Sequence, residues 1–350
     1  MSNGQHRQSG ETAESPAGQS IANNSHKSRV YYLGSGSIAV PALAALVACA
    51  GFELVGVGTQ PDRPQGRKRL ATPTPVGAWC VEHSIAVDKP ENVNDPGFLQ
   101  RLAALRLDLI VVFSFGQILS KALLSVPRSD CVNVHASLLP RYRGASPVSA
   151  VILAGDRQTG ISYMRMVRKL DAGAVYEQFT TPLSDRETTP QLEERLADLA
   201  ASTVCDTLSR IQDGRLAPQE QDHTTATYVG KLQKADGWID WQDDAATIDR
   251  QIRAYQPWPG ARTLVDTPRG VRRVTLTDVA VIPRQQEDAF PGTVTTASKH
   301  DLVIACGRDS LLVRRLIPEG SREMTGPEYL RGNPLQEGSV LRHETANCQS

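Results

Sequence analysis

The chain has 350 residues, 40% of them hydrophobic and 22% charged. These fractions lie near the globular average and exclude wholesale disorder, and the length predicts about two domains. Lys+Arg and Asp+Glu both total 38, which excludes retention on nucleic acid by bulk charge and leaves room only for a local basic patch. The six cysteines lie far apart without paired spacing, so neither a disulfide scaffold nor a zinc or redox motif is expected. A reduced, cytoplasmic enzyme without a metal is the expectation.

Residues 1–28 are rich in Ser, Gln, Asn and Gly, with Met1 and Ile21 as the large apolar groups. Such a stretch has no apolar core for a secretory signal and reads as a disordered tail. Residues 30–52 carry no charge and are long enough on paper to cross a bilayer. Gly34, Gly36, Pro41 and the many alanines instead favour a buried strand, a glycine turn and a small-residue helix. FELVGVG is a second strand, closed by the turn-forming QPDRP, and residues 63–75 are a basic, proline-spaced loop. Helices are expected over residues 76–83 and 96–105. DLIVVFSFG is an uninterrupted apolar run, as in a strand buried on both faces of a parallel sheet. CVNVHAS is a further strand and leads into LLPRYRGASP.

Strands alternating with helices predict a Rossmann-like, doubly wound, mostly parallel α/β sheet, whose ligands bind at the carboxyl ends of the strands. Its last helix is expected to be capped by Thr189, with Pro190 in the first position. Leu192, Leu196, Leu199, Val204, Leu208 and Ile211 recur there at helical spacing, and Asp213-Gly214 ends the run. The domain reading is therefore a catalytic domain over 29–212, a polar linker over 213–227, a barrel domain over 228–341 and a tail over 342–350. Short β-rich runs with Gly, Pro and Asp turns after a short helix at 245–254 predict that second, small β-barrel of oligonucleotide-binding type.

Two constellations are candidates for chemistry. GSGSIA at 34–39 fits a dinucleotide glycine fingerprint, but the second strand ends Gly58-Thr59-Gln60 without the acid that would hold a ribose. The glycines are expected to serve the turn and close packing, which makes an NAD-dependent oxidoreductase a distant alternative. Asn133 and His135 lie two apart at the end of a strand, so both side chains share one face. Asp171 follows in KLDAGAV, where a turn at Ala172-Gly173 would aim its carboxylate back at the strand tips.

NVHASLLPRYRGASP and YMRMVRKLDAGAV, with TQPDRPQGRKRL earlier and IRAYQPWPGA later, resemble the folate-dependent formyltransferases over about residues 29–341. The resemblance implies a catalytic trio of Asn133, His135 and Asp171. It implies a loop of Ser137, Leu138, Leu139 and Pro140 beside the donor, 10-formyltetrahydrofolate. The two-domain layout resembles the members that act on initiator methionyl-tRNA, whose basic inserted loop contacts the acceptor stem. Here Arg63, Arg67, Lys68 and Arg69 match that loop, with phosphate contact as the implied role. The implied partners are tRNA and folate, with no membrane, and a monomer is expected. GSGSIAVP and MVRKLDAGA depart from the tRNA-acting pattern, and the latter resembles amino-sugar-nucleotide formyltransferases, which are the alternative. Residues 208–342 carry 18 Lys+Arg against 18 Asp+Glu, so the barrel adds no net positive charge toward tRNA.

Overall fold

The computed structural model describes residue 1 and residues 27–65, 70–268, 270–284 and 286–343. The tail positions 2–26 and 344–350, and Arg67, Lys68 and Arg69 of the basic loop, lie outside the described residues. Strand β1 (Ser28–Gly34) leads through the glycine turn to α1 (Val40–Ala48) and β2 (Phe52–Gly58). Strands β3 (Arg63–Gln65) and β4 (Leu70–Thr72) come next, then α2 (Pro75–Glu82), β5 (Val87–Asp88) and α3 (Pro96–Ala104). The centre of the sheet is completed by β6 (Leu109–Phe113), α4 (Lys121–Leu124) and β7 (Asp130–His135). After β8 (Arg143–Gly144) and α5 (Pro147–Ala154) come β9 (Gln158–Arg165), β10 (Val175–Pro182) and the long α6 (Thr189–Gln212).

The main sheet has the order β10-β9-β7-β6-β1-β2-β5. Five strands run parallel, while β9 pairs antiparallel with both β7 and β10. Alternation along β1 shows why its sequence is apolar from Val30 to Leu33. Val30 and Tyr32 enter the core under α1 and α6, whereas Tyr31 and Leu33 enter the core under α3. Both faces are covered, as a doubly wound sheet requires. The strand order reverses at β1, which lies between β2 and β6. In doubly wound sheets ligands bind at such a reversal, which here lies beyond Gly34 and Phe113, next to the end of β7.

The second half begins with β11 (Tyr228–Val229), which pairs with β8, and α7 (Ala245–Ala254). Strands β12 (Ala261–Thr267), β13 (Gly270–Ile282), β14 (Val294–Ala297), β15 (Leu302–Ala305), β16 (Ser310–Pro318) and β17 (Met324–Thr325) follow, then α8 (Gly326–Gly332). They form an antiparallel sheet of order β12-β13-β16-β15-β14, with β17 added to β16. The segment around 340–342 bridges both ends of this path: Arg342 pairs with Leu264 of β12, and Val340 pairs with Thr293 beside β14. That closes the curled sheet into the small barrel expected from the sequence. Its core holds Ile248 and Ile252 of α7 with Val274, Leu276, Ile304 and Val313.

Helix α6 starts one residue earlier than expected. Thr188, not Thr189, is the cap, because Gln191 stands three residues after it and accepts from the Thr188 N–H at 3.0 Å. Thr189 is thereby free to donate to Ala254 O at 2.7 Å, at the end of α7. The two halves are joined further by a carboxylate shared between two arginines. Asp249 accepts from Arg186 Nη1 at 2.6 Å and from Arg253 Nε at 2.9 Å, and Arg253 also donates to Glu187 O at 3.0 Å. Asp249 and Arg253 are each only 7% exposed. Asp249→Ala leaves a buried guanidinium without its counter-charge, so a loss of about 3–5 kcal/mol in unfolding free energy is expected by urea denaturation. A loss below about 1 kcal/mol, the range of an exposed pair, would show that this junction contributes little.

Candidate active site

Strand β7 delivers two polar side chains to its carboxyl end. Val132 and Val134 enter the core under α1 and α6, so Asn133 and His135 share the opposite face with Cys131. The ring of His135 is held by Nε2, 2.9 Å from Tyr142 O. A carbonyl oxygen only accepts, so Nε2 carries a proton and Nδ1 is the nitrogen turned to Asp171. Asn133 is 8% exposed, and its amide makes no hydrogen bond to any described residue. A polar group this enclosed and without a protein partner is placed for a ligand or water.

Asp171 arrives on the loop between β9 and β10. Its Oδ2 accepts from Gly144 N at 2.8 Å and lies 3.8 Å from His135 Nδ1. That separation is an ion-pair distance and too long for a hydrogen bond. The structure thus brings the expected three residues together: Tyr142 O orients the imidazole, and Asp171 lies beside it at ion-pair distance. Asp171 itself has φ 46°, at a cost of order 1 kcal/mol that the surroundings must offset. Gly173 is required for space, because a Cβ there would lie 1.9 Å from Arg165 O. Gly173→Ala must displace this turn, and a shift of about 1 Å at a catalytic group costs about 10²-fold in turnover. Steady-state kinetics of the purified variant check this, and wild-type turnover would contradict it.

The loop of Ser137, Leu138, Leu139 and Pro140 is fixed from beneath. Ser162 Oγ accepts from Leu139 N at 3.1 Å and donates to Ser137 O at 2.6 Å. Gln178 Nε2 donates to Leu139 O at 2.9 Å and to Ser162 Oγ at 2.8 Å. Leu139 is buried and Leu138 half-buried. Leu139 and Pro140 line a cavity of about 340 Å³ shared with Gln178 and Gln221. A larger cavity of about 470 Å³ lies at the β2–β5 edge, between Tyr31, Asp88 and Arg101, away from the polar trio.

The glycine turn is placed for packing. Ser35 N and Gly36 N both donate to Ser114 O, at 3.0 and 3.2 Å, so these amides are committed within the protein. A Cβ on Gly34 would meet the Tyr32 ring at 2.7 Å.

The sequence pattern described as "Formyl transferase" matches residues 28–208, and that described as "Formyl transferase, C-terminal domain" matches residues 231–334. The chain belongs to the formyl transferase family. It is 40% identical to the methionyl-tRNA formyltransferase of Methylococcus capsulatus over 308 residues, covering 88% of this chain and 97% of that protein. It is also 40% identical to the enzyme of the same name from Trichlorobacter lovleyi, covering 89% of this chain and 96% of that one. In fold it is similar to WlaRD, a sugar 3N-formyl transferase crystallised with dTDP and 5-N-formyl-THF. The TM-score is 0.61 at 15% identity, over 85% of this chain and all of that one.

In this formyltransferase the basic loop has a hairpin stem, β3 paired with β4, with register Arg63↔Thr72 and Gln65↔Leu70. The ladder makes the base of the segment a ribbon where the sequence suggested an irregular loop. Arg63 is exposed and forms an ion pair with Glu91 at 2.7 Å, an interaction weak enough for a phosphate to replace. Four residues beside the expected trio were not singled out in the sequence. Arg143, Gln221, His223 and Tyr228 form one hydrogen-bonded group behind Asp171. Three of them follow α6, in a stretch whose polar composition reads as linker and start of the barrel. A sequence signal for such a role would be a polar residue with a fixed partner elsewhere, which composition alone does not carry.

Proposed function

We propose that this formyltransferase moves a formyl group from 10-formyltetrahydrofolate to the α-amino group of initiator methionyl-tRNA, as part of translation initiation in the cytoplasm. The observation that carries the reading is the 40% identity to methionyl-tRNA formyltransferases across both domains and nearly their whole length. When bound, the folate donor supplies a formyl carbon open to attack by an amine. The residues present fit such a group. The unpartnered Asn133 amide can meet the formyl oxygen, and the pinned loop at 137–140 offers fixed backbone and apolar Leu138 beside it.

The chain's own chemistry follows from the geometry. As the amine adds, negative charge grows on the formyl oxygen, and the Asn133 amide donates to it from a preset position. His135 Nδ1 takes the proton shed by the amine, since Nε2 is committed to Tyr142 O. As Nδ1–H it then donates to the same oxygen and later returns the proton to the departing nitrogen. Asp171, 3.8 Å away, offsets the charge of the imidazolium formed meanwhile. Tyr142 stays a neutral phenol throughout, because burial and its bond to Asp156 push the hydroxyl up to about 12.

The test is product identification. Purified protein is incubated with 10-formyltetrahydrofolate and initiator methionyl-tRNA, and the amino acid is released by mild base and weighed by mass spectrometry. N-formylmethionine is expected. Unmodified methionine with the donor unconsumed would contradict the proposal.

A further inference from the structure

The segment after α6 is built into the active-site floor. Arg143 is fully buried, and among the described residues no carboxylate pairs with its guanidinium. Its Nε and Nη2 donate to Gln221 Oε1 at 3.1 and 2.6 Å, its Nη2 to His223 Nδ1 at 2.8 Å, and its Nη1 to Tyr228 Oη at 3.0 Å. A buried cation held only by neutral acceptors is costly, so the arrangement needs a compensating role. The backbone around Arg143 indicates one. Tyr142 O accepts from His135, Gly144 N donates to Asp171, and Arg143 N donates to Thr227 O at 2.9 Å. One tripeptide thus touches both catalytic side chains, and the Arg143 side chain anchors it to residues 221–228.

Gln221 completes the connection. Its Oε1 meets only Arg143 donors, while its Nε2 donates to Asp171 O at 2.9 Å and Gly173 O at 2.6 Å. Both ends of the amide are therefore assigned by their partners. Only a group that accepts at one end and donates at the other can join the guanidinium to the carbonyls of the strained turn. We propose that Gln221 is a positioning residue for formyl transfer. Held by Arg143, it fixes the left-handed Asp171 turn, so that the segment leading to the barrel sets the geometry of the catalytic carboxylate. The proposal rests on the formyl-transfer reading for its kinetic test and on geometry alone for its exchange test.

Gln221→Glu separates the two ends of the amide, since it keeps an acceptor for Arg143 and removes the donor facing Asp171 and Gly173. The expected result is an unchanged or raised Tm, a KM for methionyl-tRNA within about threefold, and kcat lower by about 10²-fold, the usual cost of an ångström-scale displacement. Gln221→Asn keeps the amide one methylene short and should lose kcat similarly without adding a charge. Independently of any acceptor, hydrogen–deuterium exchange should quicken at the Gly144 amide and across residues 166–174 in both variants. Wild-type kcat in both variants, or unchanged exchange at Gly144, would overturn the proposal. Absence of formyl transfer by the wild-type protein would instead refute the functional reading, and exchange would still decide the positioning role.

Discussion

His135→Ala is expected to lower kcat for formyl transfer by about two to three powers of ten, the cost of losing the group that takes the amine proton and then donates to the developing oxyanion. The variant should fold, because the ring makes one hydrogen bond, to Tyr142 O. Near-UV circular dichroism and Tm should therefore stay close to wild type. Asn133→Ala should lose a comparable factor, with still less effect on stability, since no described residue is bonded to its amide. The double variant should be little worse than either single one, because the two groups act on the same oxygen as a unit. Multiplying losses would mean that they act on separate steps. Turnover within about threefold of wild type in either single variant would remove that residue from the chemistry.

Neutralising Arg67, Lys68 and Arg69 together should weaken tRNA binding and flatten its salt dependence. In the sequence these three stand between β3 and β4, the two arms of the hairpin stem, so replacing them leaves the main sheet untouched. Every phosphate deprived of its cation should lower the magnitude of the log K against log salt slope by about 0.7–0.9, so all three should lower it by about 2–3. Filter binding at several salt concentrations reads this directly. The exposed Arg63–Glu91 pair gives an internal control, because Glu91→Gln frees Arg63 and should strengthen binding slightly. An unchanged slope in the triple variant would show that the tRNA is held elsewhere, and formylation of a small amine would be unaffected in either case.

The elements legible in the sequence are those whose burial is simple. Strand β6 is a continuous apolar run, and β1, β2 and β7 are apolar but for a few polar positions, because both faces of the sheet are covered, and α6 shows its stripe because only one face is. The pair β9 and β10 was not legible as strands. In β10 exposed and half-buried positions alternate at an edge, and β9 opens with Gln158, Thr159 and Gly160. Helix α5, PVSAVILA, is short and mostly apolar, so its periodicity is weak. The hairpin stem in the basic loop was hidden by proline and charge.

At the site, period-two geometry was enough to place Asn133 and His135 on one face, a turn in KLDAGAV pointed to Asp171 as the third polar group, and the family resemblance added the loop at 137–140. What remained illegible was the hydrogen bonding. Asp171 takes the positive φ that a glycine such as Gly173 would adopt at no cost, because its carboxylate is held by Gly144 N and its carbonyl by Gln221. Gln221 reads as a solvated linker residue until the fold brings Arg143 beside it. Buried polar partners come from distant parts of the chain, and local pattern does not encode them.

The most direct measurement is a competition between acceptors. Isotopically labelled 10-formyltetrahydrofolate is supplied in limiting amount with initiator methionyl-tRNA and a dTDP-linked amino sugar at equal concentration, and the label is followed in each product. Label is expected on methionyl-tRNA alone, and it should be lost with His135→Ala. Label on the sugar nucleotide with the tRNA left unmodified would contradict it.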